Sequence, residues 1–326
     1  MSAEQTRFDW KASESAPEHF PMQIIDGELR YYGDPYGAGL YVPSGGVISH
    51  GWGRFNSVHI TGEVLKPLPD KLDITFYSYL EDQFYRGSFD LPYDTILRLF
   101  HEAEAKSKFK AMDGSEVPND YMIIVGVAPG GSVAVWMSGL GSREIFFGKA
   151  EKVDMDFAKA FRVPIADGAD RKEYINETIM DEDIPSEKLA DIRKNGIPFD
   201  QWANYRIPYN WVPSFAVTDP PQEISISFYN GEGESFNYPL EPYFTAKAHP
   251  IPKILSYSYA HDGPGSDYNI VRFDEAEIKA AFEQFSAKQL PMQLEVTPAY
   301  PMEKTQIRLH NTKDAVVLNK FTVKRK

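Results

Sequence analysis

Tyr77-Ser78-Tyr79 recurs further along the chain as Tyr257-Ser258-Tyr259, and its surroundings recur with it. In both places an aspartate stands three residues on, at Asp82 and Asp262. A Phe-Asp pair then opens a helical pattern, Phe89-Asp90 ahead of Ile96 and Phe100, and Phe273-Asp274 ahead of Ile278 and Phe282. Phe8-Asp9-Trp10 and Phe199-Asp200-Gln201-Trp202 read as matching openings of the two copies. Self-similarity of this kind constrains architecture before any site is considered, because a pattern written twice asks for one unit to be built twice. It carries no chemistry by itself.

A length of 326 residues agrees with two units, on a prior of roughly 100–200 residues per domain. The apolar fraction of 42% is enough for packed cores, and the aromatic fraction of 14% favours strands. The net charge is −13. Residues 1–150 hold 13 Lys and Arg against 20 Asp and Glu, residues 151–198 hold 8 against 12, and residues 199–326 hold 13 against 15. No segment is basic enough to attract phosphate backbones, so nucleic acid is not an expected partner. The terminal Lys324-Arg325-Lys326 reads as a solvated end. An acidic surface suits a soluble protein or a basic protein partner.

The absence of cysteine excludes disulfides, thiolate catalysis and Cys-based zinc sites. The uncharged run from Tyr121 to Ser142 is broken by Pro129-Gly130-Gly131 and alternates on both sides. It predicts a β-hairpin rather than a transmembrane segment. The polar opening Met1-Ser2-Ala3-Glu4-Gln5 shows no signal peptide.

Along the first unit, residues 1–150, Ile24-Ile25 and Glu28–Tyr32 read as two strands around a turn at Asp26-Gly27. Leu40–Val42, Val58–Val64, Leu72–Leu80 and Phe84–Phe89 read as further strands. Pro92 suits a helix start, with Ile96, Leu97, Leu99 and Phe100 as its apolar stripe. The hairpin and a strand at Glu144–Lys149 follow. Residues 151–198 are acidic, with helical spacing around Phe157, Phe161, Leu189 and Ile192, and read as a connector packed over the repeated units, rather than a free linker, because it keeps these apolar anchors. In the second unit, residues 199–326, strands are expected at Glu223–Tyr229, Ser235–Tyr238, Ile254–Tyr259, Met292–Val296, Gln306–Leu309 and Val316–Val323. Asp274 and Glu277 are placed as a capping box for the helix between them. The expected fold is α+β: two tandem related units, each mostly antiparallel sheet with one helix, plus a helical connector.

No catalytic motif stands out. The histidines 19, 50, 59, 101, 249, 261 and 310 form no His-Glu-x-x-His pattern, and neither a metal nor a cofactor is expected. His261-Asp262 beside Tyr259 reads as a strand-end turn. The glycine pairs at 45–46 and 130–131 are not followed by Gly-Lys-Ser/Thr, and there is no Gly-x-Ser-x-Gly. The acidic residues between Asp154 and Asp183 lack calcium-loop spacing and read as a solvated face. Tyr31, Tyr32, Tyr36, Tyr41 and Trp52 lie among glycine turns, and Tyr205, Tyr209 and Trp211 are similar. They are either strand residues with one exposed face or a platform for a sugar or a partner. Tyr36 and Trp52 are the candidate partner-binding residues.

Phe76-Tyr77-Ser78-Tyr79-Leu80-Glu81-Asp82-Gln83-Phe84-Tyr85, then Phe89-Asp90-Leu91-Pro92, then Val125 to Trp136 resemble a bacterial family known as domain of unknown function 2931. The resemblance implies no catalytic residues. It implies envelope proteins, often carrying a lipoprotein leader, some beside secreted lipase-type effectors. The expectation is therefore a non-enzymatic periplasmic protein with a lipid anchor on a leader ahead of Ser2, or a cytoplasmic one if Met1 is the native start. The leading function is an immunity protein that occludes an effector protein; the alternatives are an envelope glycan- or lipid-binding protein that uses exposed aromatics, and an enzyme whose residues meet only in the fold.

Overall fold

In the first strand, β1 (Arg7–Ser15), Phe8, Trp10 and Ala12 are buried while Asp9 and Lys11 between them are less so. That period of two is what a strand with one face on a core requires. The computed structural model describes residues 5–106, 121–139, 141–164, 169–218, 220–237, 240, 242–259, 268–286, 290–299 and 304–325. The fold is α+β and rich in strands. It divides into two units, Met1–Trp202 and Ala203–Lys326.

The first unit continues with β2 (Met22–Tyr31), β3 (Gly39–Tyr41), β4 (Val47–Ile48), β5 (Leu65–Pro67), β6 (Pro69–Ser78) and β7 (Gln83–Asp90). Then come α1 (Tyr93–Lys106), β8 (Tyr121–Ala128), β9 (Ser132–Gly139), β10 (Gly141–Lys149) and β11 (Glu151–Val153). Five strands lie in the order β10-β9-β8-β1-β5, and five in the order β11-β7-β6-β2-β3, with β4 also on β2. All these pairings are antiparallel except β1 with β8, where Trp10 stands opposite Tyr121. Trp10, Ile24, Phe76, Val125 and Val135 from both sheets join Ile96 and Phe100 of α1 in one core.

Two expectations for this unit are corrected. Asp26-Gly27 makes no turn: β2 runs through it, with a bulge between Ile24 and Asp26. A bulge leaves one residue unpaired and bends the strand without ending it. Residues 58–64 form no strand, and pairing begins only at Leu65. Residues 151–198, read as a connector packed through apolar anchors, fall within this unit. There β11 pairs with β7, and α2 (Phe157–Phe161) and α3 (Ala169–Asp181) pack Phe157 and Ile175 with Tyr77, Tyr79 and Phe84. The apolar positions of α2 and α3 are what draw the segment in. The helices α4 (Ser186–Asn195) and α5 (Gln201–Asn204) follow.

The second unit contains β12 (Trp211–Phe215), β13 (Glu223–Phe228), β14 (Gly233–Asn237), α6 (Pro242–Thr245), β15 (Pro252–Ser258) and β16 (Tyr268–Phe273). Then come α7 (Glu275–Ser286), β17 (Met292–Thr297), β18 (Gln306–His310), β19 (Ala315–Leu318) and β20 (Phe321–Arg325). Its strand orders are β20-β16-β15-β13-β14 and β12-β17-β18-β19. The first strand again runs parallel to the strand after the main helix, with Trp211 opposite Met292. Asp274 caps α7 through the Glu277 N–H at 2.9 Å. The Glu277 carboxylate does not return to the cap as a capping box would. It accepts the Asn319 and Lys320 N–H groups at 3.0 and 2.7 Å.

The openings align differently from the sequence expectation. Trp202 belongs to the helix α5 and packs edge-to-face on Phe20 at 5.5 Å. The residue in the position of Trp10 is Trp211. The Trp10 indole N–H donates to the Pro67 carbonyl at 3.1 Å, and that of Trp211 to the Pro250 carbonyl at 3.0 Å. Phe8 lies 5.0 Å from Phe100, and Tyr209 lies 5.4 Å from Phe282. Helical residues 201–204 cannot present that alternation, whereas Tyr209-Asn210-Trp211 can.

Phe100 and Phe282 are both fully buried, so replacing either with Ala should lower stability by about 3–5 kcal/mol, measured by urea unfolding. A loss under ~1 kcal/mol at either position would mean that its helix can be stripped from the core at little cost. At the β8–β9 turn, Gly130 and Gly131 have φ of 73° and 81°. A Cβ on Gly131 would stand 2.4 Å from the Ala150 carbonyl, whereas one on Gly130 would meet the Phe199 side chain, which is 43% exposed. A side chain can swing aside, whereas the backbone at Ala150, between β10 and β11, is held by its own hydrogen bond to the Gly131 carbonyl, so Gly131→Val should reduce the melting temperature more than Gly130→Val.

Candidate partner-binding surface

The segment between β2 and β3 is shaped by one side chain. Asp34 Oδ1 accepts the N–H groups of Tyr36 at 2.8 Å and Ala38 at 3.2 Å. The Tyr31 N–H donates to the Ala38 carbonyl at 2.9 Å. Gly33 and Gly37, at φ 70° and 69°, allow the chain to double back. Tyr36 is thereby held at the tip, 95% exposed. Tyr32 stacks on Tyr93 at 3.8 Å, and the exposed Tyr41 hydroxyl meets His59 Nδ1 at 2.8 Å.

The second candidate, Trp52, is corrected: it is only 8% exposed and cannot anchor a partner as it stands. Its ring lies edge-to-face on Trp136 at 4.9 Å. Gly126 makes room, since a Cβ there would lie 2.9 Å from Trp52 and 2.5 Å from Trp136. The turn around it is fastened to the end of β1, where Ser15 Oγ donates to the Gly51 carbonyl and Gly51 N–H to the Ala16 carbonyl, both at 2.9 Å. A glycine turn does not guarantee exposure when the backbone on either side is tied to a strand. In the second unit Trp211 is likewise buried, and Tyr205 and Tyr209 pack against its core.

The repeated Tyr-Ser-Tyr motif is a structural knot. Asp82, at φ 50°, closes the β6–β7 turn, and its Oδ1 accepts the Tyr77 hydroxyl at 2.5 Å together with the Arg171 guanidinium. Tyr79 donates to Gln23 Oε1 at 2.5 Å and Tyr85 to Glu81 Oε1 at 2.6 Å. Glu81 Oε2 accepts the Gly130 N–H at 3.0 Å. One turn thus ties the β6–β7 hairpin to α3 and to the β8–β9 turn. Burial, then the Asp82 carboxylate, drives the Tyr77 hydroxyl far above the usual tyrosine range. Burial and Tyr174 do so for Tyr79, and burial and Glu81 for Tyr85. Phenols held protonated and already donating offer neither a base nor a nucleophile. His261 and Asp262, which follow Tyr257-Ser258-Tyr259 in the sequence, lie outside the described residues.

Among the described residues no three His, Asp or Glu side chains are grouped to hold a metal ion. No described helix is long and apolar enough to cross a membrane. A small cleft beside α1 is lined by Leu99, Glu102, Met137 and Arg143.

The sequence model of the family described as a protein of unknown function, DUF2931, matches residues 1–200. The chain belongs to the DUF2931 family. The match ends two residues short of the end of the first unit, at Trp202. The segment from Phe76 to Tyr85, within the part of the chain that matches DUF2931, is the β6–β7 hairpin and its carboxylate knot. No curated protein and no solved structure matches the chain.

Burial also raises the hydroxyls of Tyr229 and Tyr257. Folded values above the unfolded value of about 10 contribute stability that is complete below pH ~10 and is lost as pH rises beyond it. Absorbance titration at 295 nm should therefore leave Tyr77, Tyr79, Tyr85, Tyr229 and Tyr257 silent until the protein unfolds. Unfolding free energy should fall with rising alkalinity. Ionisation of all 19 tyrosines near pH 10 in the folded protein would contradict this burial.

Proposed function

We propose that this protein is a non-enzymatic binding protein of the bacterial envelope, an immunity protein that occludes a secreted lipase-type effector. The observation that carries the reading is Tyr36. It is a large aromatic side chain 95% exposed at the tip of a loop that Asp34 fixes in place. Docking an exposed aromatic on a backbone that is already ordered leaves only its side-chain rotamers to be fixed, which favours a binding hot spot. The carboxylates and phenols of the signature turn are occupied with one another, which supports a binding role over a catalytic one. The periplasm and a lipid anchor are part of the proposal because the resemblance noted in the sequence implies envelope proteins. The exposed Tyr32, Tyr36 and Tyr41 also favour a second reading, glycan or lipid binding at the envelope, since sugar rings stack on such faces.

We further propose that the two units descend from one by tandem duplication. Their strand orders correspond, each has its first strand parallel to the strand after the main helix, and each holds its opening tryptophan to a proline carbonyl. Duplication gives an occluding protein two variants of one scaffold, and among the described residues the first carries the exposed Tyr32, Tyr36 and Tyr41.

Co-expression with the effector encoded beside the gene, in the compartment where that effector acts, tests the function. Protection and co-elution on gel filtration are expected, with Tyr36→Ala weakening the complex by a factor of about 30 if it is a hot spot. Unchanged killing with no complex would remove the immunity reading and leave the envelope-ligand one.

A further inference from the structure

Glu14 stands where the alternation of β1 calls for an apolar side chain. Phe8, Trp10 and Ala12 on that face belong to the core of the first unit, and Glu14, two residues on, is 4% exposed. Its Oε1 accepts Asn56 Nδ2 at 2.9 Å and Ser57 Oγ at 2.7 Å. Its Oε2 is buried and has no hydrogen-bond partner among the described residues, and none of their Lys, Arg or His side chains pairs with the carboxylate. The buried Lys66 on β5 gives its ammonium to the carbonyls of Trp10 and Val64 instead. A buried charge is stable only when an opposite charge or a metal ion compensates it.

A proton on the carboxyl does not remove the mismatch. On Oε2 it would need an acceptor, and on Oε1 it would meet the two donors already aimed there. The mismatch lies under a long loop. Residues 49–64, between β4 and β5, carry no helix or strand, and a connection of that length inside a packed unit usually has a function. β1 holds the loop by its end. Gly51 N–H donates to the Ala16 carbonyl at 2.9 Å, Asn56 N–H to the Glu14 carbonyl at 3.1 Å, and Ser13 Oγ to the Ser57 carbonyl at 2.6 Å. Glu14 is the one charged residue between Ser13 and Ala16. Two further polar atoms of the loop are buried without a partner, Thr61 Oγ1 and Trp52 Nε1. The first is an oxygen that can ligate a cation. The second is a donor that needs an oxygen, and a cation carrying water supplies both.

We propose that Glu14 Oε2 and neutral oxygens of the 49–64 loop, Thr61 Oγ1 among them, bind a monovalent alkali cation that fastens the loop to β1. Carboxylate, hydroxyl and carbonyl oxygens are the donor set that a hard cation takes. Charge selects its valence. One buried carboxylate neutralises one positive charge, whereas dry divalent sites draw on several carboxylates, and among the described residues no three His, Asp or Glu are grouped to hold a metal ion. An ion in this place acts as a clip on a long loop, which is where such a clip restricts the unfolded chain most. The site stands apart from the binding reading above, since it orders a loop whatever partner the protein takes.

The test uses the full chain in choline chloride, with NaCl or KCl substituted at constant ionic strength, and reads the melting temperature by differential scanning fluorimetry. One alkali ion should raise it saturably, by about 3 °C once well above its dissociation constant, and comparison of the two salts shows which ion it is. Glu14→Gln keeps the size of the side chain and its Oε1 acceptor and removes the charge. It should abolish the cation-specific rise, and Thr61→Val should diminish it. Glu102→Gln, at an exposed carboxylate on α1, should leave the rise in place. In the wild type the same ion should slow proteolytic cleavage within residues 49–64. Near-ultraviolet circular dichroism checks each fold, and if Glu14→Gln does not fold, the wild-type titration and Thr61→Val decide. Equal wild-type melting temperatures in choline, sodium and potassium chloride would overturn the proposal, as would a rise that Glu14→Gln retains in full. A rise with micromolar CaCl2 or MgCl2 that neither alkali ion produces would overturn it in favour of a divalent ion.

Discussion

Each unit depends on one long-range pairing, its first strand laid parallel to the strand that follows its main helix. Parallel neighbours require a crossover, so everything between β1 and β8, and between β12 and β17, must be accommodated as one excursion. The second sheet and the helix are that excursion. A buried tryptophan sits on each first strand and fastens its indole N–H to a proline carbonyl just ahead of β6 or β15. A buried indole left without an acceptor costs about 1–3 kcal/mol, so this bond fixes where the excursion returns. The helix phenylalanines Phe100 and Phe282 pack on the aromatic residue two positions before the tryptophan, and helix, first strand and second sheet share one core.

A second kind of constraint operates at the family signature. Tyrosine hydroxyls buried among aromatics need acceptors, and carboxylates drawn into a turn need donors. Tyr77, Tyr85, Glu81, Asp82, Arg171 and the Gly130 N–H satisfy one another across four elements. Removing any member leaves a partner stranded. That mutual dependence accounts for a dense, recognisable motif without any reaction being assigned to it. It also explains how residues 151–198, acidic and polar in composition, come to belong to the first unit: α3 supplies the cation for Asp82 and apolar side chains for the tyrosines above it.

The surface has a different logic from the core. In the first unit the polar groups of the loop from Phe55 to Leu65 are engaged with β1, and its apolar side chains are left to solvent. Asp34 does the same for Tyr36 on a neighbouring stretch of sequence. Both segments spend backbone order in advance.

The sequence by itself determined the local elements. Alternation in Leu72, Ile74 and Phe76 made β6 legible, Pro129-Gly130-Gly131 made the β8–β9 hairpin legible, and the spacing of Ile96, Phe100, Ile278 and Phe282 located both helices. These signals are carried by neighbours in the chain, which is why one sequence can show them. Only the tertiary structure decided which aromatics were available to a partner. Tyr36 and Trp52 sit among similar glycine turns, yet one points to solvent and the other packs on Trp136, because Ser15 and Ala16 hold the second turn against β1. It also decided that Trp211 rather than Trp202 stands in the place of Trp10. That choice depends on β12 finding β17 across some eighty residues of chain, and a contact between distant segments leaves no periodicity for the sequence to show.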